Sequence, residues 1–251
     1  MAAVLCLDIG NTRLKWQVAF SGRLVAQGSC SSAAPSLNIP PSIARIVNRV
    51  AISSVAGADS LRALESELLP MAASGLEVVA STDAWGRLIN GYQDPGKLGV
   101  DRWLAMVAAS DAVGLPVVVV DAGTALTVDG IGASGKHLVG YIVPGLRTML
   151  KSLGGATAGL GVEALSAATP GARSVSTRDA ICNGVVEAAR GLVDRAVGYL
   201  SEHEGREPAV VVTGGDRRLV AYEGSGWLLC PDLVLLGLRR VAGDLNQFMP
   251  P

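Results

Sequence analysis

Two short segments carry the same chemical pattern. LCLDIGNT (Leu5–Thr12) and VVVDAGTA (Val118–Ala125) align with Asp121 over Asp8 and Gly123 over Gly10, 113 positions apart in both cases. An aspartate at the end of an apolar run, then a glycine and a hydroxyl or amide residue, makes a turn that can grip phosphate. The glycine lets backbone N–H groups come close, the hydroxyl donates, and the carboxylate holds a cation or its water shell. The same residues also suit a plain β-hairpin turn; two aligned copies favour the phosphate reading. A third segment, Lys97-Leu98-Gly99-Val100-Asp101-Arg102, sets a carboxylate beside a guanidinium just ahead of a predicted helix. Asp101 there can draw a proton from a substrate hydroxyl while Arg102 binds an anionic group, or it can simply cap the helix. Val212-Thr213-Gly214-Gly215-Asp216 closes an apolar strand, and its double glycine suits either a flat base against backbone or an ordinary strand-to-helix turn.

The elements that must position these groups are legible as runs. Ala3–Ile9, Lys15–Phe20, Arg23–Gly28, Val50–Val55 and Leu76–Ala80 read as strands. Ile43–Asn48, Ala58–Leu69 and Arg102–Ala112 read as helices. After Gly114 the plan starts again with Val117–Val120, Ala125–Ile131 and His137–Val143 as strands, and Pro144-Gly145 opens a helix to about Leu153. Thr177–Leu200 is the strongest helix, with Ser176 or Thr177 as N-cap and a stripe of Ile181, Val185, Ala188, Leu192, Ala196 and Leu200. Ala209–Thr213 as a strand and helices near Arg217–Ala221 and Asp232–Leu245 complete the chain, while Gly154–Gly171 reads as a loop. The repeated order implies duplication of an α/β module, with domains over 1–113 and 114–251.

Composition narrows the function classes. Of 251 residues, 21 are Lys or Arg and 22 Asp or Glu, a net charge of −1, so no broad basic face for nucleic acid is expected. Charged residues make up only 17%, below the ~25% of ordinary domains, which implies that much of the surface is either buried or covered by a partner. No apolar run approaches the ~18 residues of a membrane span. The opening MAAVLCLDIGN lacks the basic stretch of a secretion signal, so the expectation is a cytoplasmic protein without membrane contact. Four cysteines without a CxxC and only two histidines, His137 and His203, exclude a conventional structural zinc site. Both histidines read as packing or surface residues, His203 in a charged loop, and the cysteines read as small hydrophobes. Neither GxxxxGK[ST] nor GxGxxG is present, so P-loop and Rossmann nucleotide binding are disfavoured.

Taken together, DIGNT (Asp8–Thr12), NGY (Asn90–Tyr92), GVDRW (Gly99–Trp103), DAGTALTVD (Asp121–Asp129), GYIVPG (Gly140–Gly145), Ser176-Thr177 and TGGD (Thr213–Asp216) resemble the type III pantothenate kinases. The resemblance implies an α/β fold of two tandem ribonuclease-H-like domains, of the actin, acetate and sugar kinase and Hsp70 type, with a nucleotide cleft between them. It implies transfer of the γ-phosphoryl of ATP to the 4′-hydroxyl of pantothenate, with Mg2+ and a monovalent cation (K+ or NH4+), in a homodimer. By matching position, Asp101 is the general base, and Tyr92, Gly99, Val100, Asp101, Arg102 and Thr177 bind pantothenate, Thr177 from across the dimer. Asp8, Ile9, Gly10, Asn11, Thr12, Arg13, Leu14 and Lys15 form the first phosphate loop, Thr124 binds ATP from the second, and Asp121 holds the monovalent cation. Assigning Asp8 to magnesium is a physical inference from its place on the loop. Departures are Val139 for the usual glycine before Gly140, and Gly161 for a proline, which loosens that loop. A non-catalytic regulator is the competing class, disfavoured because a scaffold needs none of Asp8, Asp101 and Asp121. A third reading, another actin-like phosphotransferase, is expected to lack GVDRW.

Overall fold

Short apolar runs ended by Gly, Asn or Asp fold as strands because their side chains are buried on both faces. In the computed structural model, which describes residues 3–56, 58–156 and 173–243, the strands are laid out in chain order as follows. The N-terminal part holds β1 (Ala3–Ile9), β2 (Arg13–Phe20), β3 (Arg23–Ser31), α1 (Pro41–Ala44), β4 (Val47–Ser54), α2 (Ala58–Leu68) and β5 (Leu76–Val78). Two-residue strands β6 (Ala84–Trp85) and β7 (Leu88–Ile89) precede α3 (Val100–Val113). Then come β8 (Val117–Ala122), β9 (Ala125–Ile131), β10 (His137–Pro144), α4 (Leu146–Ala156) and α5 (Thr177–Glu204). The chain closes with β11 (Ala209–Thr213), α6 (Arg217–Val220), β12 (Leu228–Leu229) and α7 (Leu233–Val241).

Within the described residues these form two units, one of 3–85, 92–112 and 233–243, the other of 86–91 and 113–232. Each unit is built on a five-stranded sheet, and the two orders match: β3-β2-β1-β4-β5 and β10-β9-β8-β11-β12. In both, the first three strands run antiparallel, the fourth pairs parallel to the first, and the fifth pairs parallel to the fourth. The crossovers that parallel pairs require are the segments holding α1, α2, α4, α5 and α6. The two sheets thus share one strand order, as the aligned motif and the repeated order of elements imply.

The first core gathers Leu5, Leu7, Ile9, Leu14, Trp16, Ile52, Leu64 and Leu68. The second sets Val118, Val120, Leu126 and Val128 of the sheet against Val186, Ala189, Val193 and Leu200 of α5. That face of α5 keeps Val185, Ala196 and Leu200 of the expected stripe, whereas Ala188 is exposed and Cys182, Val186, Ala189 and Val193 are buried as well. Small or apolar residues lie on both sides of the helix, so packing on β8 and β9 rather than periodicity selects the inner face.

Other expectations shift by a few residues. The helix predicted at Ile43–Asn48 forms earlier, because Pro40 and Pro41 preset the first-turn dihedral, and Val47 already belongs to β4. α3 starts at Val100 rather than Arg102 and is buried nearly all round through Ala109. α4 continues through Gly154 to Ala156; the rest of the Gly154–Gly171 loop, Gly161 included, lies outside the described residues. His203 sits in the last turn of α5, its ring stacked on Tyr199 with centroids 6.1 Å apart. His137 is buried with Nε2 2.9 Å from Asp129 Oδ1. The cysteines Cys6, Cys182 and Cys230 are buried and Cys30 half-buried, all as free thiols, and burial pushes the Cys230 thiol up from its usual range.

The last helix returns to the first sheet, packing on β1, β2 and β4. Arg239 of α7 donates to Gly22 O at 2.8 Å, and Arg49 of β4 donates to Ala242 O at 3.1 Å. Gly237 permits this: a Cβ there would lie 2.0 Å from Leu104 O of α3. Gly237→Ala must therefore spread two buried helices. It is expected to cost at least the ~1–3 kcal/mol of an overpacked core, read as a lowered melting temperature in a thermal denaturation scan.

Candidate active site

The two aspartate turns occupy equivalent places in the two sheets. Asp8 and Asp121 are each the penultimate residue of the central strand, and the glycine two residues on folds its N–H back to a carbonyl. Gly10 N donates to Arg13 O at 3.1 Å and Gly123 N to Ala125 O at 3.0 Å. In the first turn, Asn11, Thr12 and Arg13 are exposed, while Ile9 and Leu14 anchor it in the core. Asp8 pairs in register with Lys15 on β2 and with Ser53 on β4, which places a carboxylate and an ammonium residue at one end of the sheet. Ser32, a buried residue that sequence reading did not single out, donates to Gly10 O at 2.6 Å and through its N–H to Thr12 O at 3.1 Å. Only the antiparallel return of β3 brings it there. Arg13 is turned aside to Ser29 Oγ at 2.6 Å.

In the second turn the carboxylate of Asp121 lies against glycine. A Cβ on Gly214 would be 2.5 Å from Asp121 Oδ1 and 2.4 Å from Ala122 O, and Gly214 holds φ at +89°. A side chain there would fill the space beside the carboxylate and strain the backbone as well. Thr124, exposed at the tip, accepts from Gly145 N at 2.9 Å and from Thr148 Oγ1 at 2.8 Å, which ties the turn to the start of α4. The donors near Asp121 are carboxylate and backbone carbonyl oxygens, a hard set suited to K+, NH4+ or Mg2+ rather than zinc. Among the described residues no cluster of three or more His, Cys, Asp or Glu is gathered.

The proposed acceptor residues come together in the first unit. Gly99 O accepts the first helical bond of α3, from Trp103 N at 3.0 Å, so Asp101 is the second residue of the helix and not its cap. Its Oδ1 accepts from Arg102 N at 2.8 Å, and a Cβ on Gly99 would press to 2.7 Å from that same oxygen. The glycine thus keeps the carboxylate open on one side. Arg102 is buried, donating through one terminal nitrogen to Tyr92 Oη at 2.8 Å, with its carbon 5.7 Å from the Tyr92 ring centre. Val100 is buried beneath them. In the second unit Thr177 opens α5 behind the N-cap Ser176, whose Oγ accepts from Asp179 N at 3.1 Å. With Met149, Leu153, Ile181 and Ala188 it lines a cavity of about 540 Å³ between α4 and α5.

Asp216 closes the TGGD turn. It is buried, and its Oδ1 accepts from Arg147 Nε at 2.8 Å, so this carboxylate oxygen is engaged within the protein. Arg147, 69 residues away, carries no motif and was not foreseen; only a prediction of which helix start meets the TGGD turn could have found it.

Twin sheets of this order, each with an aspartate and a glycine turn at the end of its central strand, define the actin and sugar kinase class of two ribonuclease-H-like domains. In line with that fold, the chain superposes on a Campylobacter jejuni protein described as a Baf family transcriptional activator, with a TM-score of 0.60 and 22% identity over 96% of this chain and 100% of that one. It also superposes on the ethanolamine utilization protein EutJ of Carboxydothermus hydrogenoformans, with a TM-score of 0.51 and 14% identity over 95% and 89%. Residues 4–198 match the family model for type III pantothenate kinase. The type III pantothenate kinases of Cellvibrio japonicus and Thiobacillus denitrificans are 35% and 37% identical, over 94–95% of this chain and 95–96% of theirs. The chain belongs to the type III pantothenate kinase family.

Proposed function

We propose that this chain transfers the γ-phosphoryl group of ATP to the 4′-hydroxyl of pantothenate, giving 4′-phosphopantothenate, the first step of coenzyme A biosynthesis. The observation that carries the reading is the Tyr92–Asp101–Arg102 cluster: a carboxylate held open by Gly99 beside a buried guanidinium, in a chain of this family. Arg102 takes the carboxylate of pantothenate, Tyr92, Gly99 and Val100 shape its site, and Asp101 accepts the proton of the attacking hydroxyl. The new bond runs from that oxygen to the γ-phosphorus. The bond from phosphorus to the β–γ bridging oxygen breaks, and ADP leaves. Asp8 through Lys15 and Thr124 hold the phosphates by backbone N–H, hydroxyl and ammonium groups.

Phosphoryl transfer depends chiefly on positioning and charge neutralisation, so one oriented base and two phosphate turns suffice from the protein. Bound Mg2+ at Asp8 and K+ or NH4+ at Asp121 supply neutralisation of the phosphate charge. The protein acts in the cytoplasm as a homodimer in which Thr177 of each copy reaches the other's substrate. Among the described residues no helix is long and apolar enough to cross a membrane.

The test is a phosphorylation assay on pantothenate with ATP and Mg2+, in potassium or in sodium. Product is expected in potassium, with a rate at least ~10-fold lower in sodium, since a site of fixed oxygens discriminates by cavity size and ligand number. Equal rates in both salts would remove the cation from Asp121. Absence of product in both, with sugars accepted instead, would reassign the acceptor.

A further inference from the structure

The second unit carries a cation at its nucleotide turns that the motifs do not announce. Three segments are locked together there. Asp216 N donates to Ala122 O at 3.0 Å, joining the TGGD turn to the end of β8. Gly145 N and Thr148 Oγ1 both donate to Thr124 O, joining α4 to the tip of the same turn. Gly145 fits so closely that a Cβ would lie 2.1 Å from Gly123 O. Arg147 then closes the third side through its Nε bond to Asp216. The two partners differ sharply in exposure: the Asp216 side chain is 6% exposed and that of Arg147 63%.

An arginine serving only to neutralise a buried carboxylate would gain most by being buried with it and bonding both oxygens through its fork. Among the described residues the guanidinium is fastened by Nε alone, which leaves the ends of the fork, each an amino group with two N–H donors, at the exposed end of the pair. That geometry fixes the plane of the cation while presenting its bidentate edge outward, the arrangement suited to phosphate oxygens.

We propose that Arg147 grips the terminal phosphate of the bound nucleotide and stabilises the charge on the phosphoryl group as it transfers, and that Asp216 is the positioning residue that orients it. This rests on the reading of the Asp121–Thr124 and Thr213–Asp216 turns as the nucleotide's own.

The test compares wild type with Arg147→Gln, Arg147→Lys and Asp216→Asn. Turnover, melting temperature and the affinities for ADP and for the non-hydrolysable β–γ imido analogue of ATP, each with Mg2+, are measured. Arg147→Gln is expected to lower kcat about 100-fold, the lower end for loss of a catalytic cation. It should also erase about tenfold of the preference for the imido analogue over ADP, with ADP affinity held within about threefold. Arg147→Lys should recover part of the affinity ratio but little of kcat, since an ammonium is a point charge without the fork. Asp216→Asn, which still accepts from Nε, should lose kcat in the same direction by about tenfold. A melting temperature lowered together with equal losses for both nucleotides would make Arg147 a structural brace and overturn the proposal, as would a kcat and affinity ratio unchanged in Arg147→Gln. Wild-type protein that binds neither nucleotide would overturn the reading of the turns and the proposal with it.

Discussion

Asp101→Asn is expected to lose about 10²- to 10⁴-fold in kcat while melting within a degree or two of the wild type. The range is that of a positioned general base. The structural part follows from the geometry, because the asparagine oxygen can still accept from Arg102 N, now at 2.8 Å from Asp101 Oδ1, and the amide fits beside Gly99 as the carboxylate does. The helix start is therefore kept and only proton acceptance is removed. Substrate affinities should move no more than about threefold, a change well below the 1.4 kcal/mol that each tenfold step represents. Steady-state kinetics with pantothenate as the varied substrate, alongside a thermal scan, separates the two effects. Turnover near the wild-type value would show that positioning alone carries the reaction and that Asp101 is not the base.

Arg102→Met should act on the other term, raising the KM for pantothenate about 100-fold or more. Removing one partner of a buried, charge-assisted contact costs about 2–5 kcal/mol, and 2.8 kcal/mol is already two decades. Methionine keeps much of the buried volume, while Tyr92 loses the donor now 2.8 Å from its hydroxyl. The discriminating measurement uses pantothenol, which carries a hydroxyl where pantothenate has its carboxylate. The variant should lose little further on pantothenol, because there is no anion for Arg102 to hold. An equal rise for both acceptors would assign Arg102 to packing against Tyr92 rather than to the carboxylate. Tyr92→Phe, which leaves the cation in place, is expected to cost less than tenfold on either acceptor.

These sites were readable in unequal measure, and the reason is physical range. A turn is decided by two or three consecutive residues, so Asp8-Ile9-Gly10 and Asp121-Ala122-Gly123 align directly, and with the repeated order of elements they carry the twofold plan of the sheets. Buried strands read as apolar runs for the same local reason. The start of α3 was misplaced by two residues because Gly99, not Asp101, takes the cap, and a glycine gives no capping signal of its own. The inner face of α5 was legible only at Val185, Ala196 and Leu200, because both sides of the helix are small or apolar and contact with β8 and β9 chooses between them.

From the sequence alone came two aspartate–glycine turns, a carboxylate beside an arginine, and the family whose order of motifs they share. Those features are local, encoded by residue types at fixed short spacings. Tertiary structure alone decided that Ser32 braces the first turn, that α7 closes back on the first sheet, and that Arg147 meets Asp216 across 69 residues. Each of these joins segments whose proximity is set by sheet order and helix packing, and no spacing along the chain carries that information.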